Sequence, residues 1–218
     1  MIADQNKYLE EEVYGLQKIW PDNTTFTIAC HGHSIPCGYM EANVTRPFDA
    51  YPHLFYRRLS ERFPHSVINM IVTATGGENS VSGAKRFQRD VLSHRPDLVT
   101  IDYGRNDMFL TETEMRDSWT RMIEEAQRAE VKIILITPAA DSGEQYYEPD
   151  KRKLSDSAMA DIICNLAEKY GTGLADTHAV FERLFQSGHQ RSEYAASVNH
   201  PNRRGHEVIA DCLMEWIP

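Results

Sequence analysis

The chain has 218 residues, 41% of them hydrophobic, and a formal net charge of −9 at neutral pH. That length suits one α/β domain over 1–218, large enough to bury roughly 70% of the surface its unfolded chain exposes, so neither a disulfide nor a structural metal is needed to hold a core. The acidic balance argues against nucleic acid or an anionic membrane as the main partner.

Read in chain order, helical periodicity comes first, over 5–20, and then strand-like and helix-like pieces alternate. Apolar runs with β-branched residues predict strands at 25–30, 66–72, 97–103 and 131–137, with a weaker one at 173–176. Helical periodicity fills the intervals at 48–63, 80–92, 112–129 and 154–170, and continues at 179–186 and 202–216. The run Lys132-Ile133-Ile134-Leu135-Ile136-Thr137 is apolar on both faces, as in a parallel strand covered by helices on each side. Repeated βα units predict a three-layer α/β/α sandwich on a five-stranded parallel sheet, with ligands beyond the carboxyl ends of the strands. The one long irregular stretch, 138–151, holds Asp141, Tyr146 and Tyr147 and is read as a flank of the site.

The polar, acidic N-terminal stretch has no signal-peptide core, and no run is long enough to span a membrane. Cys30, Cys37, Cys164 and Cys212 show no CxxC spacing. Reduced thiols in a cytoplasmic protein are expected, with a Cys30–Cys37 bridge left open. Nothing in the sequence assigns an oligomeric state.

Four strand-end or loop segments carry polar groups suited to chemistry. Ser34 follows the first strand in His31-Gly32-His33-Ser34, where its hydroxyl would be a nucleophile if a base lies in reach. Gly76 and Gly77 follow the second strand and let the backbone approach a ligand. Asn106 and Asp107 follow Gly104 after the third, and an Asn amide can donate to a developing oxyanion. His200 stands before Pro201 and Asn202, held on a short, rigid approach to the last helix. Singly, each has an ordinary structural explanation: a cap, a helix-entry turn, an Asx turn, an exposed imidazole.

Their order is more specific. Ser after strand one, Gly after strand two, Gly104-Arg105-Asn106-Asp107 after strand three and a late His200-Pro201-Asn202 resemble the SGNH (GDSL-type) hydrolases over nearly the whole chain. The resemblance implies a flavodoxin-like sandwich and cofactor-free, metal-free hydrolysis of an acyl ester. It makes Ser34 the nucleophile and His200 the general base, with an oxyanion hole from Ser34, Gly77 and Asn106 and Gly76 as the fallback for Gly77. Relatives that deacetylate sugars suggest a short-chain acyl ester as substrate, with an O-acetylated carbohydrate as one candidate. His33, Asp107, Tyr146 and Tyr147 are the candidate substrate contacts, and Tyr39 and Tyr103 offer further aromatic surface.

Two positions depart from the family. Its first block reads Gly-Asp-Ser, where this chain has His33 before Ser34. Its last block reads Asp-x-x-His, where Ser197 stands three residues before His200. A hydroxyl can accept from the imidazole but brings no charge, so the expectation is a Ser34–His200 dyad with Ser197 as a weak orienter and Glu193 as an alternative; Asp176 is a further carboxylate. Two rival readings follow: a catalytically weak or inactive binding protein on this fold, and a metal-dependent hydrolase using His31 and His33 with Asp102 and Asp107. An α/β-hydrolase is disfavoured because Gly32-His33-Ser34-Ile35-Pro36 lacks the second Gly of G-x-S-x-G.

Overall fold

A computed structural model describes residues 1–41, 44–140 and 151–218. Five parallel strands form one sheet in the order β2-β1-β3-β4-β5: β1 Thr25–Gly32, β2 Val67–Val72, β3 Leu98–Asp102, β4 Lys132–Ile136 and β5 Gly173–Ala175. This is the predicted sheet, in the doubly wound order that opens a ligand crevice at the carboxyl ends of the strands.

The sheet is covered on both faces because its strands are apolar on both. In β4, Ile133 and Leu135 enter the cluster with Trp119, Met122, Ile123 and Ile163, while Ile134 and Ile136 enter the cluster with Phe55, Leu59, Ile209 and Leu213. Alternate residues of one strand thus feed two cores, each fully buried Ile or Leu contributing about 1.5–3 kcal/mol.

The first cluster is covered by α4 (Ser80–Asp90), α5 (Glu112–Arg128) and α6 (Asp156–Tyr170); the second by α1 (Glu10–Leu16), α3 (Tyr51–Arg62), α7 (Thr177–Gln186) and α8 (Arg203–Met214). Helix starts follow local chemistry. Thr111 and Glu114 form a capping box at α5, and Asn79, Ser155, Asp176 and Asn202 cap α4, α6, α7 and α8 with their side chains.

Two predicted helices are shorter than their periodicity suggested. The first is regular only over Glu10–Leu16. The region of the predicted 48–63 helix opens with a 3-10 turn at Pro47–Asp49, and extended backbone at Ala50 separates it from α3. The periodic pattern reads through the break because both pieces turn in the same sense. A one-turn helix, α2 (Ser34–Cys37), begins at Ser34 itself, where only a loop was expected.

Candidate active site

The loops after β1, β2 and β3 are laced together by their backbones. His33 N–H donates to Asp102 O (3.2 Å), Thr73 N–H to Cys30 O (3.0 Å) and Thr75 N–H to Gly32 O (3.0 Å). Gly32 is needed for this approach: a Cβ there would lie 2.4 Å from the Asp102 carbonyl oxygen.

Ser34 is the first residue of α2, so its N–H belongs to the helix-start amides that have no intrahelical acceptor. Its Oγ lies 2.8 Å from His200 Nε2. Residues 166 positions apart in sequence are brought to hydrogen-bond distance at the carboxyl edge of the sheet.

The approach to α8 explains how His200 is held. The segment 194–202 folds back on itself: Ala196 and Ser197 N–H both donate to His200 O (3.0 and 3.3 Å), and Asn202 N–H donates to Tyr194 O (2.8 Å). Asn202 caps α8 through Gly205 N–H (3.1 Å), and its amide donates to Glu193 O (2.9 Å). The fold-back sets Ser197 Oγ 3.3 Å from His200 Nδ1. A proton on Nδ1, accepted by Ser197, leaves Nε2 with a lone pair toward Ser34. Tyr39 stacks beside the imidazole, ring centres 6.1 Å apart. Burial, and secondarily the Arg105 guanidinium, lower the His200 pKa from 6.5 to about 4, so the ring is neutral at neutral pH. Arg105 is itself buried and bonded to both Asp156 oxygens.

Gly77 is exposed, with positive φ (79°), a conformation that side chains other than glycine's rarely adopt. Asn106 sits in a 3-10 turn, and its amide donates to Glu78 O (2.9 Å). That contact orients the amide and ties the third block to the second.

Several expectations need correcting. Glu193 does not orient His200: its carboxylate accepts from Arg204 (2.7 Å) and from Gln190 N–H (2.8 Å), and lies 3.4 Å from His189. Asp176 caps α7 and accepts from Thr137 Oγ1 (2.9 Å). Asp107 has no exposed surface to offer a substrate, because it accepts from Ser80 N–H (2.8 Å) and the Trp119 indole (2.7 Å) in the core. Tyr103 is likewise fully buried. Asp141, Tyr146 and Tyr147 lie outside the described residues.

His33 is also fully buried and cannot present a face to substrate in this conformation. It caps α2: Nδ1 accepts from Ile35 N–H (3.3 Å) and lies 3.4 Å from Ser34 Oγ. Its Nε2 faces Asp102 Oδ1 at 3.6 Å. Burial lowers the His33 pKa to about 3 and raises that of Asp102 to about 7. The pairing of His33 with Asp102 was not legible in the sequence, since only strand register brings the end of β3 under the turn after β1.

The metal alternative loses its geometry. His31 turns to Thr73 Oγ1 (2.9 Å) and the Tyr103 hydroxyl (3.1 Å), away from the partners of His33. Among the described residues, no group of three or more His, Cys, Asp and Glu side chains is placed to hold a metal ion. All four cysteines are free thiols, and no helix among the described residues is long and apolar enough to cross a membrane.

Comparison with known proteins decides the family: the model of the GDSL-like lipase/acylhydrolase family matches residues 30–208, from the end of β1 into α8. The chain belongs to the GDSL-like lipase/acylhydrolase family. It is therefore a carboxylic ester hydrolase by family, on the SGNH fold. An acetylxylan esterase of Geobacillus stearothermophilus is 24% identical over 173 residues, covering 71% of this chain and 77% of the relative. Among solved structures, a two-domain esterase active on acetylated mannans superposes with a TM-score of 0.77 at 18% identity, over 97% of this chain. This chain spans 52% of that longer protein. The acetylxylan esterase Axe2 of Geobacillus stearothermophilus superposes with a TM-score of 0.74 at 20% identity, covering 88% of this GDSL-family chain and 94% of Axe2. At these identities the structural likeness establishes the fold.

Proposed function

We propose that this chain is one catalytic domain, a serine esterase that removes a short acyl group, with an O-acetylated carbohydrate as the favoured substrate. The observation that carries the reading is the 2.8 Å contact between Ser34 Oγ and His200 Nε2. His200 takes the Ser34 proton as Oγ attacks the ester carbonyl. The Ser34 and Gly77 N–H groups and the Asn106 amide stabilise the oxyanion. The imidazolium then gives its proton to the leaving alkoxide; in the acyl-enzyme His200 takes a proton from water, whose oxygen attacks the Ser34 ester carbonyl, and returns it to Ser34 Oγ as the acid leaves. Ser197, rather than a carboxylate, orients the imidazole. No step calls for a metal or cofactor.

The carbohydrate part of the proposal rests on the relatives, whose stated activities are toward acetylated xylan and acetylated mannans. The missing carboxylate behind His200 is what favours the rival, a non-catalytic binding protein. Acetate release from acetylated xylo- and manno-oligosaccharides and hydrolysis of p-nitrophenyl acetate, by the unaltered chain and by Ser34→Ala, separate the two. Turnover abolished by Ser34→Ala supports the esterase. A chain that neither turns over any short acyl ester nor is labelled at Ser34 by a fluorophosphonate is a binding protein.

A further inference from the structure

Glu78 lies between the two outer donors of the assigned hole. It follows Gly77 in sequence, and its carbonyl accepts from the Asn106 amide at 2.9 Å. Its N–H donates to Thr75 O (3.2 Å). Its carboxylate, with a side chain only 12% exposed, accepts from Arg86 Nε on both oxygens (2.9 Å each), from Arg86 Nη2 and from the Tyr103 hydroxyl (2.9 Å).

Arg86 is anchored on α4. Its Nη1 donates to Thr73 O (2.6 Å), at the start of the same loop, and its Nη2 also reaches the Tyr103 oxygen (3.1 Å). Behind them the donors line up without conflict. His31 Nε2–H is shared between Gly83 O (3.3 Å) and the Tyr103 oxygen (3.1 Å), which leaves His31 Nδ1 to accept from the Thr73 hydroxyl (2.9 Å). Burial, and next the Arg86 charge, lower the His31 pKa to about 3, so this neutral arrangement persists across neutral pH. One ion pair therefore links both ends of the loop 73–79, adding a side-chain tie to the backbone bonds that Thr73 and Thr75 make to β1.

We propose that Glu78 and Arg86 are positioning residues for the oxyanion hole, fixing the Gly77 N–H and the Asn106 amide from beneath. A buried ion pair adds little net stability, yet it fixes one geometry, and preorganised donors are what an oxyanion hole requires. The inference rests on the esterase reading above.

The test is a double-mutant cycle on p-nitrophenyl acetate with Arg86→Met, Glu78→Gln and Asn106→Ala. Arg86→Met should lower kcat by about 10- to 100-fold, the scale of a displaced catalytic group, with KM changed less than about threefold. Arg86→Lys, which keeps the charge, should recover part of the loss. In an Asn106→Ala background, Arg86→Met should cost several-fold less than it does in the unaltered chain, because one of the two donors it positions is gone. Additive losses in the cycle, or full kcat in a folded Arg86→Met protein, overturn the proposal. Glu78→Gln, close in shape and volume, carries the same test if Arg86→Met does not fold. If the unaltered chain turns over and Ser34→Ala does not, an additive cycle removes this proposal alone; a chain inactive on every ester removes both.

Discussion

Ser197 Oγ lies 3.3 Å from His200 Nδ1, and among the described residues no carboxylate is within ion-pair distance of that nitrogen. An imidazolium formed at His200 in the proposed reaction would therefore have no negative charge behind it. Ser197→Asp would supply that charge and should raise kcat by tenfold or more, about 1.4 kcal/mol, while moving the acid limb of the pH profile upward, since a neighbouring carboxylate favours the charged ring. Ser197→Ala should cost no more than about tenfold, the factor carried by a neutral hydrogen bond of about 0.5–1.5 kcal/mol. Steady-state kinetics on p-nitrophenyl acetate check both.

Activity should persist into acid. His200 acts as a base only when neutral, and burial lowers its pKa from 6.5 to about 4. The free-enzyme profile of kcat/KM should therefore be flat near neutrality and fall as pH drops through about 4. A limb centred near 6.5 would mean that the ring is solvated in solution.

Asn106→Ala should lower kcat by about 10²–10³, the loss typical of one oxyanion-hole donor. The side chain is half-buried and its described hydrogen bond is the one to Glu78 O, so thermal unfolding should move little. A kcat close to that of the unaltered chain would place the oxyanion elsewhere.

Asp102→Asn tests the pair beneath Ser34. The folded-state pKa of Asp102 is raised to about 7 from 3.8, so the folded chain holds this proton more tightly than the unfolded chain does. Its stabilising contribution is full below about 3.8 and is lost as pH rises through about 7. Asn does not titrate, so the stability of Asp102→Asn relative to the unaltered chain should improve between pH 5 and pH 8, as urea unfolding at the two values would read. The buried histidines act in the opposite sense. His31, His33 and His206 are lowered to about 3, and their contribution is lost as pH falls below about 6.5.

Much of the fold was legible because it rests on local chemistry. The doubly apolar run 132–137 became a central strand covered on both faces, and Asn202 capped the helix that the His200-Pro201 approach leads into. The start of α2 was not legible, because a four-residue helix has no periodicity of its own and is held by the His33 cap and by the packing of Gly32 on Asp102. Glu193 looked like an orienter because it is close to His200 in sequence, but Arg204 on the next helix pairs with it.

By itself the sequence determined the order of strands and helices, the two-faced core and the succession of Ser34, Gly77, Asn106 and His200 along the chain. These follow from hydrophobic period and residue type, which neighbours in sequence are enough to set. Only the tertiary structure decided which of the many polar residues meet. The contact of Ser34 with His200, the stacking of Tyr39, the pairing of His33 with Asp102 and the hold of Arg86 on Glu78 depend on parallel strand register and on loops closing over distances that no local pattern records.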